Sequence, residues 1–355
     1  MSFGYVFNQD TCVPTHVPVD IEAIPKTTIE VLSYEQKITK EDRLVFDLIN
    51  APPSHANALR RSLLSMVPSV AIEIVGISKN DGIMPDEMLA HRLGLIPLDI
   101  DPKWLKYTDG PIENDSHDIE TTLLFGLHVI GGEGEDPDDD FISANASSTW
   151  ETDKRIPPFY TGPDGIVLSK HLIWLPFPDQ KEQIPAVHPL FHDIPITKLR
   201  PRQEIELTAR AIKSNGKDHA KFSPVCTAFY RMIPLIEVDN TNLTKEAKKD
   251  LVKSCPRHIF QYADHPFADP DIEDLDDEII VQNPRTCTSC RECLRKSSVR
   301  NCITVGKVSN RYEFTVESVG VRPAYELVKD ALTQLMLKCD ELRDAVSEEA
   351  KENDE

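Results

Sequence analysis

The chain has 355 residues, 40% hydrophobic and 28% charged, so it is long enough to bury one or more cores and its composition is neither disordered nor membranous. Lys plus Arg total 39 against 59 Asp plus Glu, and a net charge of −20 repels phosphate and argues against sequence-independent nucleic-acid binding. No window approaches the roughly 20 apolar residues of a membrane span, and the start, Met1-Ser-Phe-Gly-Tyr-Val-Phe-Asn8, has neither the basic region nor the apolar run of a secretory signal.

Residues 1–25 show no sustained periodicity and contain Pro14, Pro18 and Pro25, which reads as an irregular arm. Arg43 to Asn50 alternates Leu44, Phe46 and Leu48 on one face, the pattern of a half-buried strand. Ser54 can cap a helix in which Leu59, Leu63 and Met66 fall at i, i+4 and i+7, and Pro68 ends it. Val70–Ile77 follows as an apolar strand. Pro85 suits a first helical position, Asp86 and Glu87 the first turn, Arg92 the last turn and Gly94 the stop of a short helix. Thr121–Ile130, Glu204–Ile212 and Tyr312–Ser318 alternate like strands. Residues 145–200 hold eight of the 27 prolines, which implies short strands and long loops. A final helix is expected over Pro323–Leu342, with Ala324, Leu327, Val328, Ala331, Leu332, Leu335 and Leu342 on one stripe.

Antiparallel strands with helices at their edges imply an α+β fold. The two striped helices lie far apart in the chain. They could pack on each other, on the sheet or on a second chain. Two acidic blocks, 133–140 and 269–278, and the acidic tail 347–355 read as solvated segments, because packed like charges repel. Both blocks are expected to be dispensable for assembly.

The sharpest chemical pattern is Cys287-Thr-Ser-Cys290-Arg-Glu-Cys293. Three thiolates at this spacing can wrap one corner of an iron–sulfur cluster. The ferredoxin run ends in a Cys-Pro, which is missing after Cys293 but present upstream at Cys255-Pro256. Cys255, Cys287, Cys290 and Cys293 therefore make one candidate site, with Cys302 and then Cys226 as competing fourth ligands. The group bound is a [4Fe-4S] or [3Fe-4S] cluster, with zinc or an empty site as alternatives. Arg285, Arg291, Arg295, Lys296, Arg300, Lys307 and Arg311 offset an anionic cluster or would suit an acidic partner. Cys12 and Cys339 read as ordinary thiols. The chain has no Walker A run, GxGxxG after a strand, GxSxG or HExxH, so no catalytic residue is assigned. His91-Arg92 reads as cations near a helix end, and Asp218–Lys221 as a hydrogen-bonded turn.

Four blocks, taken together, resemble the α-like RNA polymerase subunits. Leu48–Glu73, centred on Asn57-Ala-Leu-Arg-Arg61 and ending in Val67-Pro-Ser-Val-Ala-Ile-Glu73, is similar to their assembly motif. Asp86–Leu98, Asp218–Val225 and Phe314–Gly320 are similar to three further blocks in the same order. The resemblance spans residues 40–345. No cysteine occurs between Cys12 and Cys226, where the RNA polymerase II member carries a cysteine loop, and Thr197–Leu207 looks most like the form shared by RNA polymerases I and III. The retained cysteines also resemble the archaeal form.

The resemblance implies a discontinuous dimerisation domain (26–74 and 308–346), an inserted mixed α+β domain (75–238) and a ferredoxin-like cysteine domain (239–307). It implies a nuclear, in part nucleolar, non-catalytic assembly subunit serving ribosomal RNA precursor, 5S and transfer RNA synthesis. Expected partners are the small α-like subunit, the second-largest catalytic subunit and other subunits of polymerases I and III, with little direct DNA contact and no membrane. Leu59, Leu63, Met66, Leu327, Ala331 and Leu335 are expected at the dimer interface, and Arg60 and Arg61 against the catalytic subunit. The alternatives are an archaeal-type or RNA polymerase II subunit and, in another class, a ferredoxin-like electron-transfer protein.

Overall fold

A computed structural model describes residues 4–8, 11–15, 26–36, 42–108, 120–134, 157–177, 180–264 and 278–352. Of the acidic blocks only 133–134 and 278 fall within these residues. In chain order the main elements are β1 (Gly4–Asn8), β2 (Thr11–Thr15), β3 (Thr28–Gln36), β4 (Asp42–Ile49), α1 (Pro53–Ser65), β5 (Pro68–Asn80), α2 (Asp86–Gly94) and β6 (Thr122–Ile130). Then come β7 (Phe159–Tyr160), β8 (Ile166–Leu168), β9 (Ile173–Trp174), β10 (Pro195–Lys198), β11 (Glu204–Asn215) and β12 (Val225–Val238). The chain continues with α3 (Lys245–Ser254), β13 (Phe260–Tyr262), β14 (Ile279–Val281), β15 (Ile303–Ser318) and α4 (Ala324–Glu352). The fold is mixed α+β.

One compact unit comprises Met1–Leu32, Phe46–Ala56 and Tyr230–Phe314, and the other Ser33–Val45, Asn57–Phe229 and Thr315–Glu355. One sheet has the order β12-β15-β4-β3. This grouping differs from the three-part division expected from the sequence, although two cores follow sequence blocks. One gathers residues between Val70 and Ala211, the other residues between Leu243 and Ile303.

The second unit is built on the sheet β5-β11-β6-β7. β11 pairs antiparallel with β5 on one side and β6 on the other. Its Ile205, Leu207, Ala209 and Ala211 point inward at alternate positions, as a half-covered strand requires. β6 is buried along nearly its whole length, because β11, β7 and β9 pair with it. Leu89 and Leu93 of α2 seal the same core. Pro85 sits at the N-cap of α2, just before its first turn. Arg92, expected only to complement the helix end, donates from Nε to Ile196 O at 2.7 Å and from Nη2 to Pro195 O at 2.6 Å. The turn after β11 closes against the end of α1, where Lys217 N donates to Ser65 O at 3.2 Å. A Cβ on Gly216 would lie 2.1 Å from Leu64 O, so this approach needs glycine.

In the first unit Phe46 stacks on Phe314 at 5.1 Å between ring centres, and Tyr230 tilts against Phe314 at 5.2 Å. The N-terminal stretch differs from the irregular arm expected, since β1 and β2 form an antiparallel ribbon. The C-terminal helix, expected to end at Leu342, continues through Glu352 into the acidic tail. Glu348, Glu349, Ala350 and Lys351 are all strong helix formers.

Candidate docking face and cysteine site

Helices α1 and α4 pack on each other within the chain. Ser62 Oγ, fully buried, donates to the Ala331 carbonyl at 2.8 Å. Leu59 and Leu63 of α1 are 2% and 0% exposed, and Leu327 and Ala331 of α4 are 0% exposed. The residues expected at a dimer interface therefore divide. Leu59, Leu63, Leu327 and Ala331 are covered by their own chain, whereas Met66 and Leu335 are half-buried. The Ser62–Ala331 bond joins the two helices within the chain, and burial at these positions is complete without a partner.

The stripe on α4 does not end where its cover ends. Leu335, Leu342 and Val346 prolong it, with Leu332, Met336 and Cys339 along one side. Leu342, Val346 and Met336 are 60%, 66% and 67% exposed. Nearby, Tyr34 of β3 meets Tyr325 of α4 edge-on at 5.8 Å and donates to Asp42 Oδ2 at 2.9 Å. At the start of α4, Arg322 pairs with Glu326 at 3.2 Å and with Asp330, and the acid in the first turn favours the helix dipole. On α1, Arg60 is held by Asn57 Oδ1 at 2.9 Å from Nη2, while Arg61 is exposed.

Residues of all four sequence blocks line one cleft of about 210 Å³ in the second unit: Ser69–Ala71, Gly94–Leu98, Pro224 and Val319 among them. Val319 N donates to Pro224 O at 3.1 Å. Leu95 is exposed at its mouth. Lys221 closes one side by donating to Ile72 O at 2.7 Å and pairing with Glu73. The remaining groups of the expected turn are internally bonded: Asp218 to Ser214, and His219 Nδ1 accepts from Lys221 N at 3.1 Å.

In the first unit, Cys255 is the buried C-cap of α3 and belongs to the core of Leu251, Phe260 and Tyr262. Cys287 and Cys293 pack partly buried against that core, and Cys290 is exposed. The loop between them bends through two left-handed non-glycine residues, Ser289 (φ 55°) and Arg291 (φ 60°). Such residues cost of order 1 kcal/mol each and persist where surroundings demand them. Ser289 N donates to Cys287 Sγ at 3.3 Å. Burial pushes the Cys293 thiol up, and the nearby Cys290, Cys255 and Cys287 push it the same way. Cys302 also lies in this core, but its Sγ is turned to the Asn242 carbonyl at 3.5 Å. Among the described residues, no three His, Cys, Asp or Glu side chains are gathered tightly enough to hold a single metal ion. Cys255, Cys287 and Cys290 lie near enough to Cys293 to act on its thiol, and thiolates are the donors that an iron–sulfur cluster or zinc takes.

A second set of charged residues in this unit was not recognised from the sequence. Asp47, on β4, is 0% exposed and is held by Arg285 and Arg311, with Glu313 and Arg231 beyond. Burial raises its carboxyl, but the hydrogen bonds and charges of Arg285 and Arg311 outweigh that and hold it below the usual carboxylate range. The available clue was a carboxylate within the apolar run Leu44–Leu48.

No helix among the described residues is long and apolar enough to cross a membrane. The family described as the RNA polymerase Rpb3/Rpb11 dimerisation domain matches residues 45–339. The chain is 34% identical over 310 residues to the DNA-directed RNA polymerases I and III subunit rpac1 of Dictyostelium discoideum, covering 86% of this chain and 79% of that one. It is 33% identical to the RPAC1 subunit of polymerases I and III from Homo sapiens, covering 84% and 80%. It is 29% identical to the RNA polymerase II subunit rpb3 of Dictyostelium discoideum, covering 87% and 93%.

Proposed function

The chain belongs to the family of the RNA polymerase Rpb3/Rpb11 dimerisation domain, and we propose that it is the large α-like assembly subunit shared by RNA polymerases I and III. It is a structural subunit, and nucleotide transfer belongs to the assembled enzyme. The observation that carries this reading is the apolar stripe of α4, whose Leu332, Met336, Leu342 and Val346 are exposed. A stripe of that length in water is an unfinished interface. Its occupant is the small α-like subunit, whose own helices would complete the packing begun by α1. The cleft where the four family blocks meet, with exposed Leu95 at its mouth, and the exposed Arg61 of α1 offer surfaces to the second-largest catalytic subunit. A net charge of −20 fits contact with proteins more than with DNA. A nuclear and nucleolar location follows from this assignment. Greater similarity to the subunits of polymerases I and III than to that of polymerase II favours the shared form. Native mass spectrometry of the tagged chain purified from its own cells tests the proposal. It should report the small α-like subunit in one-to-one complex and the largest subunits of both polymerases. Recovery with polymerase II subunits alone would assign the chain to the other branch.

The three-part division, with a ferredoxin-like domain over 239–307, is proposed on the same basis. In it, Cys255, Cys287, Cys290 and Cys293 hold an iron–sulfur cluster with a structural role. The Cys287-x2-Cys290-x2-Cys293 spacing together with Cys255-Pro256 favours a cluster over a single zinc. After anaerobic purification, Cys255→Ser is expected to lose iron and sulfide, and Cys302→Ser to retain wild-type content. The reverse pattern would put Cys302 in the site and Cys255 outside it.

A further inference from the structure

The loop that carries three of the cysteines has almost nothing of its own to hold it in place. From Gln282 to Ser298 no residue is buried. Cys287, Cys293 and Leu294 only graze the neighbouring core. The loop is tethered at both ends by ion pairs of very different character. At the far end Lys296 meets Asp250, with the lysine 54% exposed, and such a pair contributes little. At the near end Arg285 forks onto the buried Asp47, from Nη2 to Oδ2 at 2.6 Å and from Nη1 to Oδ1 at 3.0 Å.

This near tether is built into the strands on both sides. Arg285 Nη1 also donates to Glu313 Oε2 at 2.6 Å. Arg311 reaches Asp47 Oδ2 from Nε at 2.8 Å and from Nη2 at 2.6 Å. Arg231 donates from Nε to Glu313 Oε1 at 2.7 Å. Asp47 and Glu313, largely out of water, thus have their charge met by three arginines that stay partly exposed. A short tight turn then transmits the position of Arg285 to the first cysteine. Arg285 N donates to Asn283 Oδ1 at 3.2 Å, and Cys287 N to Pro284 O at 3.1 Å. Cys255, by contrast, is fixed independently by its helix and core. The two halves of the four-cysteine site meet only if the loop is held in register.

We infer that Asp47 is a positioning residue for the cysteine site, setting Cys287 against Cys255 through Arg285 and linking occupancy of the site to the order of β4. The inference rests on reading these cysteines as a cluster site. Linkage is reciprocal: a tether that favours loading must itself be reinforced by loading.

The test uses the full chain, purified anaerobically, as wild type, Asp47→Asn, Arg285→Lys and Asp250→Asn. Three quantities are read: iron and sulfide content, the rate of cluster loss to a chelator, and amide hydrogen exchange of peptides 42–49 and 284–294. Asp47→Asn and Arg285→Lys should speed exchange in 284–294 by about tenfold and cluster loss by at least about fivefold. Asp250→Asn should change both by less than about twofold, as expected for an exposed pair. Removing iron from the wild type should speed exchange in 42–49. Slow exchange in β5, β6 and β11 certifies that a variant is folded, and if Asp47→Asn is not, the half-exposed Arg285→Lys decides. Wild-type exchange in 284–294 for a folded variant overturns the inference. A wild type without iron or sulfide removes the cluster reading and the linkage with it, while the exchange data still decide whether Asp47 holds the loop.

Discussion

Leu63→Asp is expected to leave no folded chain, with or without a partner. Leu63 is 0% exposed, between its own helix and the chain's core. Deleting a leucine side chain at such a site costs about 3–5 kcal/mol. A carboxylate put there adds several more, because nothing near it offers a compensating charge. Together these approach the roughly 5–15 kcal/mol that holds a typical domain folded. Thermal unfolding followed by circular dichroism should show no cooperative transition, and soluble yield should collapse even when the small α-like subunit is co-produced. Leu63→Ala should keep a transition at markedly lower temperature. If Leu63→Asp melted like the wild type and merely failed to hold its partner, Leu63 would face the partner after all.

That expectation turns on which apolar residues the chain keeps for itself, and periodicity does not say. The stripes of α1 and α4 were legible because spacing, the capping Ser54 and the prolines at either end all agreed. Whether two such stripes cover each other or a second chain depends on contacts across more than 260 residues, such as Ser62 to Ala331. The elements missed have local reasons. All nine residues of β3 are exposed, so no alternation marks it. α3 is mostly lysine and acid, but its Thr244 cap, accepting from Ala247 N at 3.3 Å, was there to be read.

The cysteine site was legible in part for the same kind of reason. The spacing of Cys287, Cys290 and Cys293 is a local pattern, and Cys-Pro at Cys255 marks the fourth. The support beneath them is not local. Asp47 stands in the alternation of β4 where a solvent-facing residue was expected, yet it is buried and meets Arg285 across 238 positions. A strand with neighbours on both sides can bury a carboxylate if arginines arrive from elsewhere. Arg285 and Arg311 were noted only as cations suited to an anionic cluster, whereas their nearest anion belongs to the chain itself.

Met336→Asp combined with Leu342→Asp should have the opposite outcome to Leu63→Asp. Both side chains are already more than half exposed in the single chain, so the substitutions disturb no packing there. Substitutions at exposed positions usually change folding stability by less than about 0.5 kcal/mol. At an interface the same carboxylates would be stripped of water, with no cation of the α4 stripe to meet them. An obligate interface of this kind buries about 2,000 Å² or more and depends on a few central apolar anchors. A loss of about 3–5 kcal/mol there corresponds to roughly a hundred- to several-thousand-fold in affinity. The double variant should therefore melt like the wild type when made alone and yet fail to retain the small α-like subunit in size-exclusion chromatography. Cys339→Ser, beside the same stripe, should retain it. Co-elution of the double variant with its partner at wild-type yield would mean that the distal half of α4 faces water in the assembled enzyme. The interface would then have to be sought elsewhere, for instance on β3, where Ile29, Val31 and Leu32 are also uncovered.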